Sequence, residues 1–263
     1  MYKLGVVVPV YVKTMGHFKY TKKCIESIYS RYDCTLYLVP TVCGQSDLAK
    51  LSKIYDNTVI VPIDENCVAK AWNIGIYRAF SDLCRYVLVI NSDVVCDRYT
   101  IDNLVLFAER TPAVMWSAKM IGGHNFVFRN GIQIVDYRTV WHNYSFFMVD
   151  RGLFDIVGRF DENIKPAYGE DLDMQYRIQL ACDFYGDESI RHVCTPLSEY
   201  EHLGSATISY SENRKKAFDE LSQYARIGNR TSYQYICEKW GGERKNMTFT
   251  HPFNDISLDF RKV

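Results

Sequence analysis

What this chain lacks narrows its chemistry before any motif is read. Its nine cysteines include no Cys-x-x-Cys pair, which excludes the common structural zinc arrangements and a thioredoxin-like redox motif. Their odd number and scatter fit reduced, mostly buried thiols in a reducing compartment. No apolar run approaches the ~20 residues that a membrane span needs. A net charge is missing too, since 31 Lys and Arg balance 31 Asp and Glu. That balance argues against gripping nucleic acid by bulk electrostatics and leaves only a local basic patch, Arg214, Lys215, Lys216, Arg226 and Arg230, for such a role. No Gly-x-x-x-x-Gly-Lys-Ser/Thr loop is present to cradle phosphates, and no Gly-x-Ser-x-Gly elbow to raise a nucleophile. Internal repeats, low-complexity linkers and a Pro/Gly hinge between halves are likewise lacking.

The opening residues, Met1 to Pro9, mimic a signal peptide only superficially. Their apolar run is short, Pro9 interrupts it, and no small-residue cleavage site follows. They read as a first strand, and a cytoplasmic location is expected. The sequons at Asn143, Asn229 and Asn246 are then chance matches.

What is present is an alternation. Strand patterns at Leu4–Tyr11, Thr35–Val39, Thr58–Ile63 and Tyr86–Ile90 are interleaved with helical patterns at Tyr20–Tyr29, after Gly44, and at Val68–Phe80. Such alternation predicts an α/β fold with a mainly parallel sheet flanked by helices. Shorter β-like pieces from Pro112 to Asp150 should add mixed or antiparallel strands. Helices are expected at Arg151–Val157, from Glu170 to Ala181, at Thr207–Tyr224 and at Thr231–Lys239. One domain over residues 1–204, with a helical C-terminal extension at 205–263 packed on it, accounts for this pattern.

Ligands of such sheets bind beyond the carboxyl ends of the strands. Asn91, Ser92 and Asp93 stand at such an end. Short oxygen-bearing side chains there suit Mg²⁺ or Mn²⁺ bridging two phosphates. By itself this is weak, because Asn and Asp also open turns. His202 adds an imidazole, and paired with Asp93 it favours manganese. Glu170 and Asp171 fall in the first turn of a helix, where backbone N–H groups and the macrodipole favour a carboxylate. An ionised carboxylate so held can take a proton from a substrate hydroxyl.

Several segments occur in an order that resembles family-two nucleotide-sugar glycosyltransferases. They are Val6-Val7-Val8-Pro9-Val10-Tyr11, Ala71-Trp72-Asn73-Ile74-Gly75, Ile90-Asn91-Ser92-Asp93-Val94, Gly158-Arg159-Phe160-Asp161-Glu162, Glu170-Asp171-Leu172-Asp173 and His202-Leu203-Gly204-Ser205. Glu238-Lys239-Trp240-Gly241-Gly242 and Thr250-His251-Pro252-Phe253-Asn254 are similar to tails of bacterial and phage-encoded members.

The resemblance implies a GT-A fold and a metal-dependent, inverting transfer from a nucleoside diphosphate sugar, UDP favoured, to an acceptor hydroxyl. It also implies roles. Pro9, Val10 and Tyr11 would lie against the nucleoside, Asn73 would border the donor pocket, and Asn91, Ser92 and Asp93 would meet the diphosphate. Asp93 and His202 would hold Mn²⁺ (or Mg²⁺), Asp171 would be the base and Glu170 would orient the acceptor. Lys239 and Trp240 would close on the donor, or Trp240 would simply anchor the tail.

The chain departs from the family pattern in two places that matter. Asparagine replaces the first acid of the Asp-x-Asp motif at position 91. After strand two no acid falls at the position where the family reads the uracil ring, leaving Thr41 or a backbone group to substitute.

A glycan is the expected acceptor. A hydroxylated base of phage DNA, reached in the host cytoplasm, is the alternative. Two other classes remain in view. A sugar nucleotidyltransferase would need a glycine-rich, arginine-containing loop after the first strand, and Val12-Lys13-Thr14-Met15-Gly16 does not supply one. A catalytically silent nucleotide-sugar or glycan-binding module would have no need for Asp93, Glu170, Asp171 and His202 together.

Overall fold

A computed structural model describes residues 2–123, 126–138, 144–203, 226–227 and 230–262. In chain order the first half runs β1 (Lys3–Val12), α1 (Met15–Ser27), β2 (Asp33–Cys43), α2 (Gln45–Leu51), β3 (Thr58–Ile60), α3 (Val68–Ser81) and β4 (Tyr86–Ile90). Then come β5 (Val94–Cys96), α4 (Thr100–Ala108), β6 (Met115–Met120), β7 (Gln133–Ile134), β8 (Phe146–Asp150), α5 (Arg151–Ile156), α6 (Glu170–Tyr185) and β9 (His192–His202). A small hairpin, β10 (Arg226–Ile227) with β11 (Arg230–Thr231), leads into α7 (Ser232–Trp240). The helix expected at Thr207–Tyr224 and the basic side chains at 214, 215, 216, 226 and 230 lie outside the residues whose structure is described.

The central sheet has nine strands, ordered β3-β2-β1-β4-β8-β6-β9-β5, with β7 pairing β9 off that path. Its first half is parallel, as the alternation predicted: β1 pairs β2 and β4, and β2 pairs β3. Its second half is mixed, with β8 antiparallel to β4 and β6, and β9 parallel to β6 but antiparallel to β5.

The period-two geometry of β1 builds two cores at once. Leu4, Val6, Val8 and Val10 face a core with α1 and α4, while Val7 faces the opposite one with α3, α6 and α7. Full burial of each such side chain stabilises by roughly 1.5–3 kcal/mol. Gly75 lets α3 sit tightly on β1, because a Cβ there would come within 2.4 Å of Val7.

Strand β9 was not expected from the sequence. Pro196 interrupts its run, and a proline argues against an interior strand. The structure accommodates it in an irregularity. Ala118 pairs Thr195 and Lys119 pairs Glu199, so residues 196–198 bulge out of the ladder. Beyond the bulge the strand continues to His202 against β5. No helix among the described residues is long and apolar enough to cross a membrane.

Candidate active site

The turn after β4 is drawn tight by Val94 donating from its backbone N–H to the Asn91 carbonyl, 3.1 Å. The Asn91 N–H donates to the Ser145 carbonyl at 2.9 Å, and its Nδ2 lies 3.4 Å from Ser145 Oγ. On the far side, β5–β9 pairing sets Val94 opposite His202, and the Leu203 N–H donates to the Asp93 carbonyl at 2.9 Å. These backbone constraints deliver Asp93 Oδ1 to 3.2 Å from His202 Nε2, with Ser145 Oγ 3.5 Å from the same nitrogen. Both side chains keep partial access to solvent, about 15% exposed.

This pair fits part of a divalent-cation site. Two cis ligands on Mg²⁺ or Mn²⁺, each about 2.1 Å from the ion, lie about 3 Å from one another. Asn91 Oδ1, in the same turn, is buried and has no hydrogen-bond partner. Among the described residues no group of three or more His, Cys, Asp or Glu gathers to hold a metal. The protein would therefore supply Asp93 and His202, and oxygens of a diphosphate and water would complete the shell, the usual arrangement for Mg²⁺ at phosphate sites.

The acid pair is placed by the start of α6. Gly169 caps the helix at φ +107°, and a Cβ there would meet Ile236 Cδ1 at 2.3 Å. Only glycine satisfies both constraints. Glu170 is 7% exposed, and burial, reinforced by the neighbouring Asp171 charge, pushes its carboxyl up to about 8. Its Oε2 has no partner. Near neutral pH Glu170 is thus largely protonated, which spares Asp171 a like charge beside it. Asp171 is half-buried, and the Leu172 N–H donates to its Oδ1 at 2.8 Å. The buried Tyr144 hydroxyl is pushed up in pKa by burial and then by the Asp171 charge, so it lies within the field of this carboxylate.

A third acid, Asp173, turns the other way. It is wholly buried and accepts from Arg177 Nε at 2.9 Å, Lys239 Nζ at 2.7 Å and Trp240 Nε1 at 2.8 Å. Burial alone would raise its pKa, but the Arg177 and Lys239 charges outweigh that and hold it at about 2. Lys239 also bonds Asp161 Oδ2 at 2.8 Å, beside the Tyr235 hydroxyl at 2.9 Å.

Of the two places open to Trp240, against the donor or as an anchor of the tail, this geometry favours the anchor, and it sets Lys239 beside it. Lys239 and Trp240 are 1% and 0% exposed and their polar atoms are committed to Asp161 and Asp173, so they pin α7 behind the start of α6. Asn73 is likewise committed to the protein itself. It is 3% exposed and clamps the turn before α6, giving Nδ2 to the Phe160 carbonyl and to Glu162 Oε1, each at 2.9 Å, and accepting the Phe160 N–H on Oδ1 at 2.9 Å. Sequence reasoning missed Asp161 and Asp173 as an anchor. No local signal marked them, because they and Lys239 each stand among other charged residues (Glu162, Glu170 and Asp171, Glu238), and only the fold shows which of these are buried and paired.

At the carboxyl end of β1, Pro9 and Val10 are buried while Tyr11 is half-buried. The β1–β2 ladder slips between Val10 and Tyr11: Val10 pairs Pro40, Tyr11 pairs Val42, and Thr41 bulges. Thr41 Oγ1 donates to the Val10 carbonyl at 3.2 Å, which places it beside Tyr11. His17 and Lys13, unremarked in the sequence, border the same ring. His17 meets Tyr11 edge-on at 5.3 Å, and Lys13 Nζ lies 5.4 Å from its centre. His17 is held there by a capping box, with the Thr14 N–H donating to its Nδ1 at 3.2 Å.

The model for glycosyl transferase family 2 matches residues 5–161, more than half of the chain. Among solved structures, the chain is similar to S. aureus TarS. Against TarS 1–349 in complex with UDP-GlcNAc the TM-score is 0.58 at 14% identity, covering 93% of this chain and 74% of that one. Against TarS 1–349 alone it is 0.56 at 15% identity, covering 84% and 70%. Against TarS it is 0.57 at 14% identity, covering 89% of this chain and 45% of that one. At such identities the likeness is one of fold. Comparison with curated protein sequences finds no match.

Proposed function

The chain belongs to glycosyl transferase family 2, and from that premise we propose that it moves a hexose from a UDP-sugar to an acceptor hydroxyl with inversion at the anomeric carbon. The observation that carries this reading is the meeting of Asp93 and His202, distant in sequence, at 3.2 Å on the carboxyl edge of the sheet. The UDP-GlcNAc bound by TarS, a protein of similar fold, favours uridine as the nucleoside.

In this reading Tyr11 and Thr41 border the base and ribose, while Pro9 and Val10 contribute backbone. Asp93 and His202 would hold Mn²⁺ or Mg²⁺, which would supply positive charge beside the departing diphosphate. Asp171 accepts the proton of the attacking hydroxyl as its oxygen bonds to the anomeric carbon and the bond to the diphosphate oxygen breaks. A single displacement of this kind inverts the centre. Glu170, carrying its proton near neutral pH, can donate a hydrogen bond to the acceptor and orient it.

The acceptor we propose is a glycan. The competing reading, a hydroxylated DNA base, draws on the phage-like tail and on Arg214, Lys215, Lys216, Arg226 and Arg230, whose side chains lie outside the described residues. The C-terminal extension from residue 205 is proposed as part of the same unit, because its helix α7 is bonded into the α6 anchor. Nucleotide release from a panel of sugar nucleotides tests the function, and labelled transfer to glycans beside hydroxymethylated DNA tests the acceptor. A protein that releases no nucleotide from any donor refutes the reading.

A further inference from the structure

Beside the Asp93–His202 pair stands a third oxygen with no part in the reaction as drawn. Ser145 is wholly buried, and its Oγ lies 3.5 Å from His202 Nε2, the nitrogen that Asp93 Oδ1 approaches at 3.2 Å. An imidazole nitrogen offers one proton or one lone pair, in a single in-plane direction. Two oxygens thus converge on a nitrogen that can serve only one of them fully by hydrogen bonding. The serine contact is also longer than the roughly 2.7–3.2 Å of a well-made bond. A cation among the three satisfies them together, since neighbouring ligands of an octahedral shell stand about 3 Å apart.

The backbone fixes this oxygen as firmly as it fixes Asp93. Pairing of β4 with β8 sets Ile90 opposite Phe146, and one step further the Asn91 N–H donates to the Ser145 carbonyl at 2.9 Å. Asn91 Nδ2 then donates to Ser145 Oγ at 3.4 Å. A hydroxyl that accepts one amide proton can still coordinate through its second lone pair while keeping its own proton. It is a hard, neutral oxygen of the kind that Ser and Thr supply to Mg²⁺ in phosphate-loop enzymes.

We propose that Ser145 is a third protein ligand of the cation, its Oγ joining Asp93 and His202 in place of one water. The inference deepens the metal reading given above and rests on it. It also gives the asparagine at position 91 a task, since an aspartate there has no amide proton with which to hold the serine oxygen.

Two variants test it in the intact folded protein with UDP saturating, by calorimetric titration of the metal alone. Ser145→Ala removes the oxygen. Its Mn²⁺ affinity should fall by about 10–100-fold, the scale on which metal sites respond to losing a supporting group, while UDP affinity in EDTA stays at the wild-type value. Ser145→Cys exchanges a hard oxygen for sulfur. Thiolate favours zinc and oxygen favours magnesium, so this variant should lose Mg²⁺ affinity and gain Zn²⁺ affinity relative to wild type. Its Co²⁺ complex should show a sulfur-to-cobalt charge-transfer band that the wild type lacks. A residue that only supports the fold would shift the melting midpoint and leave these metal preferences unmoved. Wild-type Mn²⁺ affinity in Ser145→Ala would overturn the proposal, as would a Ser145→Cys protein with neither the zinc preference nor the cobalt band. A wild-type protein that binds no Mn²⁺ beside UDP would refute the metal reading beneath it. One that binds both but releases no nucleotide from any donor would refute the transfer and leave the ligand set standing.

Discussion

Replacing Lys239 by methionine separates an anchoring role from a donor-binding one. The side chain is 1% exposed, and its ammonium lies 2.8 Å from Asp161 Oδ2 and 2.7 Å from Asp173 Oδ1, two carboxylates at 0% exposure. Burial this complete leaves little solvent screening, so the ordinary discount for surface pairs does not apply. Removing one partner of a buried ion pair typically destabilises by about 3–5 kcal/mol, because the partner stays charged and unpaired. Asp173 retains Arg177 and Trp240, and Asp161 retains the Tyr235 hydroxyl, which places the expectation near the lower end, about 3 kcal/mol. In a chain of this size that corresponds to a fall of roughly 6–12 °C in melting midpoint. Urea denaturation of Lys239→Met at pH 7 reads the loss directly. The double variant Asp161→Asn/Lys239→Met, with one carboxylate neutralised along with the lysine, should recover about 1–2 kcal/mol of it. UDP affinity of the folded variant should stay at the wild-type value. A stable Lys239→Met protein that has lost UDP affinity would refute the anchor and restore Lys239 to the donor site.

Further outcomes follow from the acids. The Glu170 carboxyl, raised in the fold to about 8 from an ordinary 4.5, binds its proton more tightly folded than unfolded. Stability should therefore fall as pH rises from about 4.5 through 8, with a ceiling near 5 kcal/mol at about 1.4 kcal/mol per pH unit; Glu170→Gln should flatten that slope in pH-dependent denaturation, and an unchanged slope would show the burial argument to be wrong. Asp173, held at about 2, works in the opposite sense: its contribution is present above the ordinary 3.8 and is lost as pH falls toward 2, so Asp173→Asn should weaken the protein at neutral pH and remove part of the acid limb. Asp171→Asn should keep donor affinity while transfer drops by about 10²-fold or more, and transfer at the wild-type rate would mean another group is the base. EDTA should abolish nucleotide release, Mn²⁺ should restore it better than Ca²⁺, and His202→Ala should raise the Mn²⁺ concentration required; full activity in chelator would remove the metal from the reaction.

Much was legible in the chain because it is written in local chemistry. Alternating apolar strands and amphipathic helices specify the parallel half of the sheet, since burial on both faces leaves a near-continuous apolar run such as Leu4–Val10. Tyr86–Ile90 and the start of α6 at Glu170 fall where the sequence predicts them. Acids ahead of an apolar-periodic run, after a glycine, are helix-start chemistry and need no tertiary information.

What the chain could not announce is whatever depends on two distant segments meeting. Pro196 hid β9, because only its pairing partner β6 determines that residues 196–198 can bulge while the ladder resumes. The pairing of His202 with Asp93 is expected from the sequence, but the backbone route by which they meet, β9 against β5, is not. Asn73, Lys239 and Trp240, whose motif context resembles donor contacts, are bonded to buried protein groups instead. A polar side chain within a motif can face a ligand or another buried polar group with equal local propriety. Here the burial of Asp161 and Asp173 decided it, because two buried carboxylates require paired cations and donors, and Lys239, Arg177 and Trp240 are the groups the fold brings within reach.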